Sequence, residues 1–352
     1  MRTMELPVAE GAFVRRALFA ETLAEGRVRC NLCGFRCIIA PGRRGVCGVR
    51  ENREGTLYSL VYGRAAVDEI DAIEKKPLYH FLPGTSAFSL ATVGCNFRCR
   101  HCQNYAIALF PRDHGGRLLG RALAPEEIVL LARRNGCHSV AYTYTEPVVF
   151  FEYAYHTARV AAAAGLRNVF VTNGTITPEA LETLAPMLHG ANIDLKSFRD
   201  RFYRHVCGGA RLHWVLEAIA LHRRLGIWVE VTTLVIPGLN DSEAELRDIA
   251  GFLAGVGRNI PWHLSRFFPA HRMTDVPPTP LATLQRAREI GLEAGLHFVY
   301  LGNLAPGEGG EDTVCPGCAV TLIRRRGYRV VSNLLRDGTC PHCEQAIPGV
   351  WR

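Results

Sequence analysis

Residues 88–105 read Phe88-Ser-Leu-Ala-Thr-Val-Gly-Cys95-Asn-Phe-Arg-Cys99-Arg-His-Cys102-Gln-Asn-Tyr105. The apolar run from Phe88 to Val93 has the composition of a strand, and Gly94 ends it. Three cysteines follow at once, spaced C-x3-C-x2-C. Thiolate sulfur favours zinc or iron–sulfur clusters. A closed zinc site takes four ligands, and a four-iron cluster is ordinarily held by four cysteines. The local set stops at three. A cubane on Cys95, Cys99 and Cys102 would therefore keep one iron open for another ligand.

A strand running into that spacing resembles the radical S-adenosylmethionine (SAM) enzymes. The resemblance implies a [4Fe-4S] cluster on the three thiolates, with the amino and carboxylate groups of SAM chelating the fourth iron. It also implies that one electron from the cluster cleaves the sulfonium. The product is a 5′-deoxyadenosyl radical, which abstracts hydrogen from substrate. The residue before the last cysteine is usually a carbocyclic aromatic in that superfamily, and here it is His101.

The chain has 352 residues, enough for one large α/β domain with appendages or for two domains. Hydrophobic residues make up 48% and charged residues 21%, an ordinary globular composition that excludes a disordered chain. No apolar run approaches the ~20 residues of a membrane span, and no signal-type segment opens the chain. A cytoplasmic protein without membrane association is expected. The net charge of +8 comes without a long basic block, so a nucleic-acid partner stays open. The thirteen cysteines cluster at metal-ligand spacings, which argues for metal and against disulfides.

Before the cluster strand, Cys30, Cys33, Cys37 and Cys47 fall within eighteen residues rich in Gly and Pro. Such a knuckle has little core of its own, and bound metal would supply much of its folding energy. Zinc and a second iron–sulfur cluster both suit four sulfurs, and spacing does not separate them. Phe13 to Leu23 is expected as a short helix, and Leu57 to Val61 as a strand.

From residue 85 to about 304, strand-like runs alternate with amphipathic helical patterns, as in a parallel α/β fold. Strands are expected at 88–93, 139–144, 167–172, 191–195, 228–236 and 262–267, with a further run at 298–302. Functional residues of such barrels gather at the C-terminal ends of strands. The second strand ends at Tyr144-Thr145-Glu146, where the superfamily has Gly-Gly-Glu. That match implies that Glu146 holds the ammonium of SAM; Tyr144 and Thr145 replace the glycines. The third and fourth strand ends carry Asn173, and Asp194 with Lys196. They resemble sequences of the pyruvate formate-lyase activating enzymes that touch the ribose and methionine carboxylate. His263, on the sixth strand, matches a SAM-contacting histidine of that group. Glu230 sits inside an apolar strand and needs a partner, either substrate or a buried cation.

After Gly302 the composition changes. Pro306 to Gly310 is expected as a linker or turn. Cys315-Pro-Gly-Cys318 and Cys340-Pro-His-Cys343 then form a zinc-ribbon arrangement, with a second [4Fe-4S] cluster as the alternative. Three regions result: residues 1–80, a four-cysteine metal-binding extension; residues 81–305, the core; and residues 306–352, a zinc-ribbon-like segment.

The resemblance extends over nearly the whole chain. Glu74-Lys-Lys-Pro-Leu-Tyr-His80-Phe, Ala91-Thr-Val-Gly-Cys95, Trp228-Val-Glu-Val-Thr-Thr-Leu-Val-Ile-Pro-Gly238 and the terminal Ile347-Pro-Gly-Val-Trp351 are similar to the radical SAM member of the AmmeMemoRadiSam system. That family is related to the pyruvate formate-lyase activating enzymes. The resemblance implies a partial (β/α)6 TIM-type barrel, one [4Fe-4S] cluster and SAM. It implies a reductant such as flavodoxin or ferredoxin, and it points to Memo-like and AMMECR-like proteins as partners. It delivers no substrate. Activation of a glycyl radical enzyme and radical modification of RNA stay open, and a non-enzymatic metal-knuckle module is the contrasting class.

Overall fold

In the computed structural model, which describes residues 13–305 and 308–352, seven parallel strands follow one another across one sheet. They are Ser86–Ala91, Ser139–Tyr142, Arg167–Thr172, Gly190–Asp194, Trp228–Val235, Trp262–Arg266 and Val299–Gly302. The expected run at 298–302 is thus a seventh parallel strand. An eighth strand, Val67–Ala72, pairs antiparallel with Ser86–Ala91 and was not foreseen. It comes from the expected N-terminal extension, which therefore also builds part of the main sheet. The two edge strands do not pair with each other, so the barrel is open.

The crossovers carry helices Pro125–Arg134, Phe151–Ala163, Pro178–Leu184, Leu212–Arg224, Glu243–Gly257 and Leu281–Glu293. Alternation along the strands sorts side chains by size. Phe88, Leu90, Val140, Tyr142 and Phe170 join the large core beneath the helices. Ala87, Ala141 and Val169 belong to a second core inside the open barrel.

The inner face is small because a segment of the chain fills it. Residues 73–82 run through the barrel and place Ile73, Leu78, Phe81 and Leu82 in that inner core. Asn192 donates to the Pro77 carbonyl at 2.7 Å. The amides of Tyr79 and His80 donate to Glu230 at 3.0 and 2.8 Å. Phe81 lies over Gly190, where a Cβ would stand 2.9 Å from the ring. Burying Phe81 alone contributes about 2–3 kcal/mol. Glu230 is accordingly satisfied from within the protein. Its partners are these two amides, the Trp228 indole N–H at 3.0 Å and His263 at 2.7 Å.

The C-terminal segment closes over one end of this plug. Strands Thr313–Val314, Thr321–Arg326 and Arg329–Asn333 form a small sheet. Its core joins Leu322 and Ile323 to Tyr79, Phe298 and Tyr300. Arg325 reaches through to donate to the Tyr79 carbonyl at 2.8 Å. The terminal stretch returns to residue 80, where the His80 ring bonds the Pro348 carbonyl at 2.7 Å and the Val350 amide donates to the His80 carbonyl at 2.7 Å. Pro306 and Gly307 of the expected linker lie outside the described residues.

The helix expected at Phe13 to Leu23 is absent. Short strands Arg15–Arg16 and Ala20–Thr22 take its place. Phe19 between them has φ of +54°, a left-handed conformation that no α-helix continues through. Pairing with Thr56–Ser59 and Val28–Cys30 supplies the backbone partners that a helix would have supplied internally.

Candidate functional site

The three-cysteine loop leaves the first parallel strand through Gly94. Its φ is +96°, and a Cβ there would stand 2.5 Å from Val49 and 2.9 Å from the Cys47 carbonyl oxygen. Only glycine lets the loop press so closely on the N-terminal knuckle. The other side of the loop is fixed by backbone bonds from Arg98 to the Cys207 carbonyl, 3.0 Å, and from Arg100 to the Val206 carbonyl, 2.9 Å. The Phe97 amide points at the Cys95 sulfur at 3.4 Å. Cys95, Cys99 and Cys102 all face one cavity of about 460 Å3.

That cavity also receives Glu146, Asn173, Asp194, Lys196 and His263. The parallel register explains the convergence. Tyr142 lies beside both Leu90 and Phe170, Thr172 beside Ile193, Asp194 beside Thr232, and Thr232 beside His263. Strand ends thus stand side by side, and the residues just past them open on one space.

Glu146 caps the short turn Pro147–Phe150 by accepting from the Val148 amide at 3.1 Å. The same carboxylate accepts the Thr172 hydroxyl at 2.7 Å and the Asn173 amide at 2.7 Å. A carboxylate offers about four acceptor positions, so these three donors leave one, on Oε2. Burial pushes the Glu146 carboxyl up to about 7, against the donors that favour its anion. Asn173 donates to Asn96 at 2.8 Å and accepts from Thr175 at 2.7 Å, which ties the third strand end to the cysteine loop. Lys196 and Asp194 pair at 2.6 Å. Burial disfavours the Lys196 cation, but Asp194 and the nearby thiols outweigh it and hold the ammonium charged. The Cys99 thiol is held below its ordinary value, first by a hydrogen bond with Cys207 and then by Lys196. His263 is nearly buried, stacked on Tyr300 at 5.2 Å and bonded to Glu230. His101 is buried and neutral, its basicity pushed down to about 3 by burial, and its Nδ1 has no protein partner.

Tyr144, standing where the resemblance expected glycine, has φ of +64°. The backbone conformation that glycine favours is kept, at a cost of about 1–2 kcal/mol for a residue with a side chain. Its hydroxyl bonds Asp71 at 2.6 Å, and the Lys76 ammonium sits 4.6 Å from its ring centre. Lys75 and Lys76 both pair with Asp71 at 2.6 Å. Burial pulls Lys76 down to about 8 against the pull of Asp71. Sequence reading quoted Glu74-Lys-Lys-Pro but assigned no role to Lys75 or Lys76, and it missed Asp71 and Asn96. The position of Asn96 inside the cysteine motif was the available signal.

The remaining cysteine groups lie apart from the cavity. Cys30, Cys33, Cys37 and Cys47 line a small enclosed space behind the loop. Cys315, Cys318, Cys340 and Cys343 form a compact set at the C-terminal sheet, with sulfurs 3.6 Å apart for Cys315 and Cys343 and 3.7 Å for Cys318 and Cys340. Among the described residues, no helix is long and apolar enough to cross a membrane.

Residues 89–250 match the model of the radical SAM superfamily. An uncharacterized protein of Methanocaldococcus jannaschii, MJ0808, is 48% identical over 337 residues, covering 95% of this chain and 99% of that one. A GTP 3′,8-cyclase of Stenotrophomonas maltophilia is 31% identical over 164 residues, or 43% of this chain and 46% of the cyclase. The chain thus matches less than half the length of that cyclase. A domain of a pyruvate-formate lyase-activating enzyme from Bacteroides vulgatus superposes with a TM-score of 0.42 at 19% identity, covering 47% of this chain and 99% of that domain. With a [4Fe-4S] cluster and SAM as the cofactors that its matched domain implies, the chain belongs to the radical SAM superfamily of enzymes.

Proposed function

We propose that this chain cleaves SAM reductively and directs the resulting radical at a substrate, as the radical SAM member of an AmmeMemoRadiSam system. One observation carries the reading: a single cavity is walled by all three loop thiols and by all five side chains assigned to SAM. The donor set suits the group. Three soft thiolates leave one iron open, Glu146 keeps one acceptor position free, and Lys196 offers a charge to a carboxylate. When bound, the cluster supplies the electron that splits the sulfonium to a 5′-deoxyadenosyl radical.

The roles of the chain's own residues follow. Cys95, Cys99 and Cys102 hold the cluster. Glu146 takes the ammonium of SAM, while Asn173, Asp194 and Lys196 orient its ribose and carboxylate. His263, braced by Glu230, contacts SAM from the sixth strand. Lys75, Lys76 and Tyr144, tied together by Asp71 behind them, line the same cavity and suit a polar or anionic substrate. The compact C-terminal cysteines take zinc, since sulfurs sharing one zinc at about 2.3 Å stand roughly 3.8 Å apart. The reductant is a flavodoxin- or ferredoxin-type protein, the site of action is the cytoplasm, and Memo-like and AMMECR-like proteins are the partners.

Electron paramagnetic resonance on anaerobic, dithionite-reduced protein tests the reading. SAM should change the cluster signal, because it would occupy the open iron. A signal indifferent to saturating SAM overturns the proposal.

A further inference from the structure

Three cysteine groups occur in one chain, and the structure sorts them by size. Among the described residues, Cys315, Cys318, Cys340 and Cys343 are the set of potential metal ligands whose ligand atoms all lie within 4.8 Å of one another. That is the size of a single-ion site. Cys30, Cys33, Cys37 and Cys47 form no such compact set, and neither do the three barrel cysteines. Yet the four N-terminal cysteines wall one enclosed, apolar cavity together. Thiols that surround one space but stand too far apart to share one ion suit a cluster, in which each sulfur binds its own iron. The cavity measures about 20 Å3. Atoms bonded to its walls would extend well inside the contact distance that bounds this volume.

A second observation points to an anionic occupant. Arg50 lines the same cavity and is buried. Its two terminal nitrogens are satisfied, by Glu152 at 2.9 and 3.0 Å and by the Leu18 carbonyl at 2.9 Å. Its Nε–H has no partner. A buried donor without a partner destabilises the fold, and a sulfide or thiolate acceptor would satisfy it.

The site also abuts the catalytic loop. Asn96 lines the cavity, and its Oδ1 lies 3.9 Å from the Cys95 sulfur. Gly94 packs on the Cys47 carbonyl.

We propose that Cys30, Cys33, Cys37 and Cys47 hold a second four-iron cluster, not zinc, seated directly behind the barrel loop. The test uses full-length protein purified without oxygen and reconstituted with iron and sulfide. Native mass spectrometry with iron, sulfide and zinc analysis should give about eight irons and one zinc per wild-type chain. The Cys95→Ala, Cys99→Ala, Cys102→Ala triple variant should keep about four irons and show a cluster signal on reduction. About four irons in the wild type, whether with one zinc or two, overturns the proposal. So does a folded triple variant that binds no iron. Should that variant fail to fold, the wild-type count decides alone. Failure of SAM cleavage by a chain loaded with eight irons would count against the proposed function and leave this assignment standing.

Discussion

Glu146 accepts the backbone amide of Asn173 at 2.7 Å, a bond that ties the second parallel strand end to the third. The remaining acceptor position on this carboxylate is the one available to the SAM ammonium. Glu146→Gln should therefore weaken SAM binding by roughly 10- to 100-fold, the worth of a hydrogen bond to a charged group, and leave the iron content unchanged. The pH dependence has a definite sign. The carboxyl titrates near 7, so it gains a proton and loses its charge as pH falls below that value. Calorimetry should show SAM binding weaker at pH 6 than at pH 7.5 in the wild type, and nearly flat in Glu146→Gln. Equal affinities in the two proteins would make Glu146 a capping residue only.

Glu230 should be a stability residue. It is fully buried, and burial alone would raise its carboxyl. His263, His80 and Trp228 outweigh burial and hold it below the ordinary value. A depressed carboxyl stabilises the fold above the unfolded value and loses that contribution as pH falls through the folded one. Glu230→Ala would orphan the Tyr79 and His80 amides and free the plug. Urea unfolding should report a loss of about 3 kcal/mol, with less difference from the wild type in acid. A loss under ~0.5 kcal/mol, ordinary for a surface position, would contradict the plug's dependence on it.

Much of this architecture was legible because periodicity and strand-end chemistry are local. The seven parallel strands follow from apolar runs, and the cavity gathers the eight residues marked by motif. The plug was not legible. Glu74-Lys-Lys-Pro-Leu-Tyr-His-Phe and the terminal Ile-Pro-Gly-Val-Trp lie some 270 residues apart in sequence, yet they meet at His80 and Val350. Glu230 looked functional for the same reason: its partners are distant backbone amides, which carry no side-chain signature. The Phe13 to Leu23 helix failed because strand pairing with distant segments overrode local propensity. Cysteine spacing located all three metal candidates, but the distances among sulfurs appear only in three dimensions.

Loss of the C-terminal metal should loosen one region and spare the barrel. Leu322 and Ile323 are the fully buried aliphatic residues of that small sheet, too few to hold it by burial alone. Zinc binding coupled to folding would contribute ~10–16 kcal/mol there. Cys315→Ser or Cys343→Ser should expose residues 313–352 to limited proteolysis while iron content stays at the wild-type level. Iron loss in these variants, with zinc absent from the wild type, would identify an iron–sulfur cluster at this end instead.

The central claim is that Cys95, Cys99 and Cys102 serve the reductive cleavage of SAM. The most direct measurement is chromatographic quantification of 5′-deoxyadenosine from reconstituted protein, dithionite and SAM without oxygen, beside Cys95→Ala, Cys99→Ala and Cys102→Ala. The account predicts product from the wild type and none above background from each variant. Undiminished product from any one variant, or none from a fully loaded wild type, would contradict it.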